Sequence, residues 1–181
     1  GFLPQPTRHL IMVAGGIGQT PFVTLAREYL GLANYGRECP QAQNVTLCYG
    51  ARNENLLAGV DVFEAVDGLE IRLCTDDGSR GYHGLVTEVL EQVLAADKVA
   101  HGSNQGARVV CCGPEPMMEA VSKLCANSAV ECQVSLETPM ACGIGICFTC
   151  VTKVIQHDGT WDYKRTCVEG PVFDASKIVW H

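Results

Sequence analysis

Residues 9–21 read HLIMVAGGIGQTP: an apolar run from His9 to Ala14 that breaks on Gly15, Gly16 and Gly18 and then reaches Thr20 and Pro21. An apolar run bounded by glycine reads as a buried strand, and the residues after it, Thr20 to Leu30, carry a helical period. Phe22, Val23, Leu25, Ala26, Tyr29 and Leu30 fall largely on one helical face. Four further β-prone runs follow: Asn44 to Gly50, Leu69 to Thr75, Arg108 to Cys112 and Val130 to Leu136. Leu85 to Ala96 again has helical period, through Val86, Val89, Leu90, Val93 and Leu94, with Thr87, Glu88 and Glu91 placed near a helix start. Strands alternating with helices predict an α/β fold with a five-stranded parallel, doubly wound sheet over residues 1–136. The polar stretch from Asn34 to Asn44, punctuated by Gly36 and Pro40, reads as a surface loop.

From Glu137 the composition turns to Gly, Cys, Thr and short β-prone pieces, with no helix of useful length before His181. A second, small β-rich lobe over residues 137–181 is therefore expected. So short a segment hardly supplies a core of its own, which calls for a covalent or metal staple. The segment holds one: Cys142, Cys147 and Cys150 stand as C-x4-C-x2-C, and Cys167 follows after sixteen residues. That is the plant-type spacing for a 2Fe-2S cluster. Gly143 and Gly145 let the loop turn so that amide N–H groups face the sulfurs. A structural zinc site also takes four cysteines, usually as two C-x2-C pairs, of which only one is present here. Two disulfides are the third possibility, disfavoured in a cytoplasmic setting.

Bulk properties narrow the function classes. With 181 residues, 47% apolar and 18% charged, the chain has enough apolar material for a real core. Thirteen basic against twenty acidic side chains give a net charge of −7, which argues against nucleic acid as a partner. No window has the apolar length of a membrane span and the N-terminus lacks a signal-peptide pattern, so the chain reads as cytoplasmic, with no membrane partner. Of the eleven cysteines, Cys48, Cys74, Cys111 and Cys132 sit in apolar strand-like runs as small hydrophobes would, while Cys39 and Cys125 carry no readable pattern. His9, His83, His101, His157 and His181 are scattered without visible partners and read as surface residues. The chain starts at Gly1 rather than at methionine, as a fragment of something longer does.

Three strand ends carry candidate binding turns. Gly15-Gly16-Ile17-Gly18-Gln19-Thr20-Pro21 leads from strand to helix as a phosphate-binding turn does, with glycines for close backbone approach and a helix N-terminus for the anion. A plain tight connection uses the same residues. Cys111-Cys112-Gly113-Pro114-Glu115 makes a second abrupt strand-to-helix turn, and open parallel sheets bind ligands at that carboxyl edge. Between them Thr75-Asp76-Asp77-Gly78-Ser79-Arg80-Gly81 follows a strand. Its carboxylates suit ribose hydroxyls and Arg80 or Arg52 suits a phosphate, although Asp-Asp-Gly-Ser is equally ordinary turn chemistry.

The order of these motifs resembles the NAD-binding and iron-sulfur parts of the ferredoxin reductase superfamily, and within it the electron-transfer subunits of class 1B dihydroorotate dehydrogenases. Gly15 to Gly18, Thr75 to Ser79, Cys112 to Pro114, Leu136 to Gly145 and Cys167 to Phe173 match in order. The resemblance implies that Gly15, Gly16, Gly18, Thr20 and Pro21 lie by the phosphates of NAD, Cys112, Gly113 and Pro114 near the nicotinamide, and Asp76 and Asp77 by the adenosine half. It further implies a hetero-oligomer with a dihydroorotate-oxidising FMN subunit, whose electrons cross the cluster and FAD to reach NAD. A nicotinamide exchanges hydride while a 2Fe-2S cluster moves single electrons, so a flavin must stand between them. The flavin-binding β-barrel of the family is expected upstream of Gly1 or on a partner. No residue here is expected to act as a general acid or base. Lys164 and Arg165 are placed to dock an acidic partner or to be simply solvated. Two other readings remain: a flavin and iron-sulfur reductase subunit of another redox complex, and a zinc-stapled nucleotide-binding module without redox activity.

Overall fold

The structure, a computed structural model, describes residue 2 and residues 4–180. Seven strands form one sheet: β1 (His9–Gly15), β2 (Asn44–Ala51), β3 (Leu69–Thr75), β4 (Tyr82–His83), β5 (Ala107–Cys112), β6 (Glu131–Ser135) and β9 (Val172–Asp174). Their order across the sheet is β4-β3-β2-β1-β5-β6-β9, parallel except for β9, which pairs antiparallel with β6. The remaining strands, β7 (Val151–Ile155) and β8 (Trp161–Arg165), form a separate antiparallel hairpin. All five expected strands are present, with ends within two residues of expectation. The two additions, β4 and β9, are two and three residues long, too short for a periodicity to register.

Among the described residues four α-helices cover the sheet: α1 (Phe22–Tyr29), α2 (Val60–Glu64), α3 (Val86–His101) and α4 (Glu115–Asn127). All seven residues of β1 are buried, as a strand covered on both faces requires. Its alternation divides the core. Ile11 and Val13 pack with Cys48, Val109 and Cys111 under Leu90 of α3 and Val121 of α4. Leu10, Met12 and Ala14 pack with Leu47, Tyr49 and Val110 under Phe22 and Leu25 of α1 and Phe63 of α2. Cys48, Cys74, Cys111 and Cys132 are buried hydrophobes as expected, and Cys125 of α4 joins them. Burial pushes the Cys48 thiol well up and that of Cys74 to about 12, so neither is nucleophilic.

The α3 helix runs five residues beyond the expected Ala96 and closes on Gly102 at φ 74°. Its last turns are held by polar contacts rather than by apolar period. Asp97, buried, accepts from Arg8 at 2.9 and 2.6 Å and lies 2.9 Å from His9 Nδ1. Burial alone raises the Asp97 carboxyl, and the hydrogen bonds from Arg8 and His9 outweigh it and hold the group below the ordinary carboxylate range. The surface placement expected for the histidines therefore fails at His9, whose Nε2 also lies 2.8 Å from Thr46 Oγ1. Its partners are 88 and 37 residues away in sequence, a distance at which no local pattern reveals them. His83, His101 and His157 are exposed as expected, and His181 lies outside the described residues.

After β6 the chain leaves the sheet, forms the cysteine loop and the β7–β8 hairpin, and returns through β9. Leu136 N–H donates to Pro171 O at 2.9 Å, so exit and re-entry are stitched together. Ala175 and Ile178 then pack into the core beneath α4.

Candidate functional site

The carboxyl ends of β1 and β5 flank the point where the strand order reverses, the place where open α/β sheets bind ligands. A cleft of about 530 Å³ opens there. Gly15 and Gly16 form one wall, with Gly50, Ala51 and Arg52 from the end of β2 and Asp76 from the end of β3. Leu85, Val86 and Thr87 at the start of α3, and Pro114, Pro116 and Met117 at the start of α4, form the other. Two long helices thus aim their N-terminal, positively polarised ends at one cavity. The α3 end is itself closed by Glu88, whose carboxylate accepts from Leu85 N–H at 2.7 Å. The apolar part, Leu56, Leu85, Val86 and Met117, gives a flat aromatic base a surface to lie on.

Of the residues singled out from the sequence, Gly15, Gly16, Asp76 and Pro114 line this cleft. Gly18 is buried behind it, where an added Cβ would lie 2.2 Å from Cys112 O. Only glycine lets the β1 and β5 turns touch. Cys112 is buried at the end of β5, and burial raises its thiol. Gly113 packs on Met117 and Gly15 rather than lining the cleft. Thr20 is exposed at the end of a 3-10 turn, Gly16–Gln19, that intervenes before α1, and Pro21 caps that helix. The Asp77 carboxylate is taken up by its own turn, accepting from Ser79 N–H at 2.9 Å and Ser79 Oγ at 2.6 Å. Arg80 pairs with Glu64 at 3.4 Å, away from the cleft, whereas Arg52 is on its wall. Sequence reasoning did not find Leu56, Leu85, Thr87, Pro116 or Met117 as cleft residues, because only the fold brings the starts of α3 and α4 to β1.

The cysteine loop begins two residues beyond β6, next to the same edge, since Ser135 of β6 pairs with Cys112 of β5. Gly143 and Gly145 have φ of 67° and 78°, the left-handed turns anticipated above. They aim backbone amides inward: the N–H groups of Cys147, Ile144 and Ile146, with the Cys147 thiol, bring the Cys142 thiol down to about 6. Cys150 Sγ and Cys167 Sγ lie 2.9 Å apart. Their shared proton lowers Cys150 and raises Cys167.

The four sulfurs therefore stand as two pairs, Cys142 with Cys147 and Cys150 with Cys167. Among the described residues no three His, Cys, Asp or Glu side chains converge on a single metal position. All eleven cysteines are free thiols in this structure. Four cysteines in two pairs, with backbone amides turned onto Cys142, are the donor set that would hold a two-iron centre.

The loop is braced by Arg165, whose Nη1 donates to Gly145 O at 2.8 Å and whose guanidinium stacks 5.4 Å over Phe148. Lys164 lies 3.3 Å from Glu169. Both side chains are thus engaged inside the lobe. Thr166, buried between the loop halves, donates N–H to Cys150 O at 2.8 Å and its hydroxyl contacts that of Thr138.

A doubly wound domain with a cleft at its switch point and a paired-thiol loop on the same edge defines a nucleotide-linked oxidoreductase carrying an iron-sulfur lobe. The chain belongs to the oxidoreductase NAD-binding domain family, which matches residues 12–123, and residues 137–179 match the iron-sulfur cluster binding domain of dihydroorotate dehydrogenase B. It is 34% identical over 180 residues to the dihydroorotate dehydrogenase B (NAD(+)) electron transfer subunit of Caldanaerobacter subterraneus, covering 99% of this chain and 63% of that protein. The corresponding subunit of Desulforamulus reducens is 37% identical over 178 residues, covering 98% and 61%. The chain spans about three fifths of the length of the curated relatives it matches. Among solved structures, a chain of an NADH-dependent reduced ferredoxin-NADP oxidoreductase superposes with a TM-score of 0.69 at 26% identity, over 99% of this chain and 56% of that one. No helix among the described residues is long and apolar enough to cross a membrane.

Proposed function

We propose that these residues are the NAD-binding and cluster-bearing part, divided near residue 136, of a dihydroorotate dehydrogenase electron-transfer subunit. In this reading electrons from a dihydroorotate-oxidising FMN subunit pass through a 2Fe-2S cluster and FAD to NAD in a cytoplasmic hetero-oligomer. The observation that carries it is the pairing of Cys142 with Cys147 and of Cys150 with Cys167 in a loop seated on the same sheet edge as the cleft. The matches to residues 12–123 and 137–179 support it in the same order along the chain. Eleven free thiols suit a reducing compartment.

When bound, nicotinamide exchanges hydride, the cluster exchanges single electrons, and a flavin outside these residues converts between the two. The chain's own work is positional. Cys142, Cys147, Cys150 and Cys167 are the metal ligands, Gly143 and Gly145 turn amides onto them, and Arg165 and Thr166 keep the loop halves together. Gly15, Gly16 and Pro114 receive the dinucleotide, while Gly18, Cys112 and Gly113 hold the two turns against each other. Asp76 completes the surround, while Thr20, Pro21 and Asp77 shape the turns behind it. No side chain here has to donate or accept a proton in the reaction.

Iron and acid-labile sulfide analysis with a visible spectrum tests the assignment: two irons per chain and a red-brown, reducible chromophore are expected, both lost in Cys147→Ser. A colourless protein holding one zinc ion refutes it. A second reading, a reductase subunit of another redox complex, is favoured by the reduced ferredoxin oxidoreductase likeness over nearly the whole chain. Co-purification decides: a partner that reduces the cluster with dihydroorotate supports the first reading, and one that does so only with reduced ferredoxin supports the second.

A further inference from the structure

Across the carboxyl edge of the sheet, Asp76 follows β3, Arg52 follows β2 and Gly16 follows β1, in neighbouring positions. All three line the cleft, and Arg52 and Asp76 are its charged side chains. Arg8, Arg37, Arg72, Arg80 and Arg165 each hold a carboxylate. Arg52 is exposed and holds none among the described residues.

Its backbone, by contrast, is fixed. Asp76 N–H donates to Ala51 O at 3.0 Å, Asp77 N–H to Arg52 O at 3.2 Å, and Glu54 N–H to Ser79 Oγ at 2.8 Å. Ser79 is itself held by Asp77 Oδ1 through both N–H and hydroxyl. The loop after β3 therefore braces the residues on either side of Arg52, and the Asp77 carboxylate is the internal strut of that brace.

We propose that Arg52 is the cation that grips the pyrophosphate of the bound dinucleotide, and that Asp77 is its positioning residue, acting through Ser79 rather than touching adenosine. This inference rests on the cleft being a dinucleotide site. A pyrophosphate seated on the Gly15–Gly16 turn lies on the side of Arg52 away from Asp76. A ribose 2′-phosphate further out would meet the Asp76 carboxylate, which repels it and accepts hydrogen bonds from free ribose hydroxyls instead. Arg52 thus serves the group common to NAD and ADP.

Calorimetric titration of the purified protein with NAD+, NADP+ and ADP, with ligand-observed NMR for the weaker adenosine, tests this. Arg52→Gln is expected to weaken NAD+ and ADP by a similar factor, about tenfold for one exposed charge-assisted contact, and to leave adenosine unchanged. Asp77→Ala gives the same selectivity at smaller amplitude and Asp77→Asn, which keeps the acceptor oxygen, restores it. Loss confined to NADP+ assigns Arg52 to a 2′-phosphate and overturns the inference. Equal loss for adenosine, or none for ADP, also overturns it, as does an Asp77→Ala protein that binds ADP normally. A wild-type protein that binds neither NAD+ nor ADP refutes the dinucleotide reading itself.

Discussion

Gly18→Ala is the substitution for which the structure fixes the outcome most tightly. The new Cβ would lie 2.2 Å from Cys112 O, 2.5 Å from Cys112 C and 2.8 Å from Gly113 N, where ordinary contact begins at 3.4 Å. The β1 and β5 turns must therefore separate by about 1.2 Å, the difference between 3.4 and 2.2 Å. Backbone cannot rotate aside as a side chain does, so the cost belongs at the upper end of the overpacking range, about 3 kcal/mol. For a chain of this size that lowers Tm by roughly 6–12 °C. Gly15 and Pro114, which wall the cleft, move with the two turns, and an ångström-scale displacement at a positioned site weakens nucleotide binding by about tenfold or more. Differential scanning fluorimetry with and without NAD+ reads both effects, with Thr20→Ala at the exposed end of the same turn as control. A Gly18→Ala protein that melts within about 1 °C of wild type and is stabilised equally by NAD+ refutes the claim that these turns touch.

Further outcomes follow from the core, the buried ion pair and the loop brace. Leu90→Ala, at a fully buried position of α3, should cost about 2–5 kcal/mol in denaturant unfolding, while Val99→Ala, 87% exposed on the same helix, should cost under about 0.5 kcal/mol. Because Asp97 titrates below its ordinary value of 3.8, its stabilisation is full above about pH 4 and is lost as pH falls through the lower native value. Asp97→Asn should therefore lose about 3–5 kcal/mol at pH 7, by leaving Arg8 without its carboxylate, and should flatten the acid limb of Tm against pH. An unchanged acid limb would count against the ion-pair account. Arg165→Met removes the bond to Gly145 O and should weaken the loop by about 1–3 kcal/mol, seen as faster amide exchange at residues 141–150 with no change in β1 or β5.

The parts of this fold legible in the sequence are those written as local period. Five strands and two helices announce themselves through apolar runs and one-sided faces, because a sheet covered on both sides needs continuous apolar strands. The cysteine spacing was equally legible, since ligands that share a metal must return to it within short loops. What stayed hidden depends on contacts across the chain. The extension of α3 to His101 rests on Asp97 meeting Arg8 and His9 from the start of β1, and its own residues beyond Ala96 show no apolar period. Asp77 offered a free carboxylate to the reader of the sequence, yet Ser79 two positions on consumes it. Lys164 and Arg165 looked like an exposed basic pair until Glu169, Phe148 and the Gly145 carbonyl were placed beside them. Charged side chains reveal their role only when their partners are known, and apolar ones reveal it through period alone.

The relation between the two sites follows from one strand pairing. β5 ends in the turn that touches Gly18 and opens the cleft, and β6, its parallel neighbour, ends in the loop that carries the thiols. Parallel strands deliver their carboxyl ends to one edge, so the cleft and the cysteine loop are placed side by side by topology, before any side chain acts. The antiparallel return of β9 then closes that arrangement. Leu136 and Pro171 are hydrogen-bonded to each other, so residues 137–170 form a closed loop pinned at its base, and Ala175 and Ile178 anchor the far end in the main core. A lobe with so little apolar interior of its own is thereby held in fixed register against the nucleotide cleft. Had β9 been missing, the hairpin and its thiols would hang from one strand end, and the separation of the two sites would be set by a flexible tether instead of by the sheet.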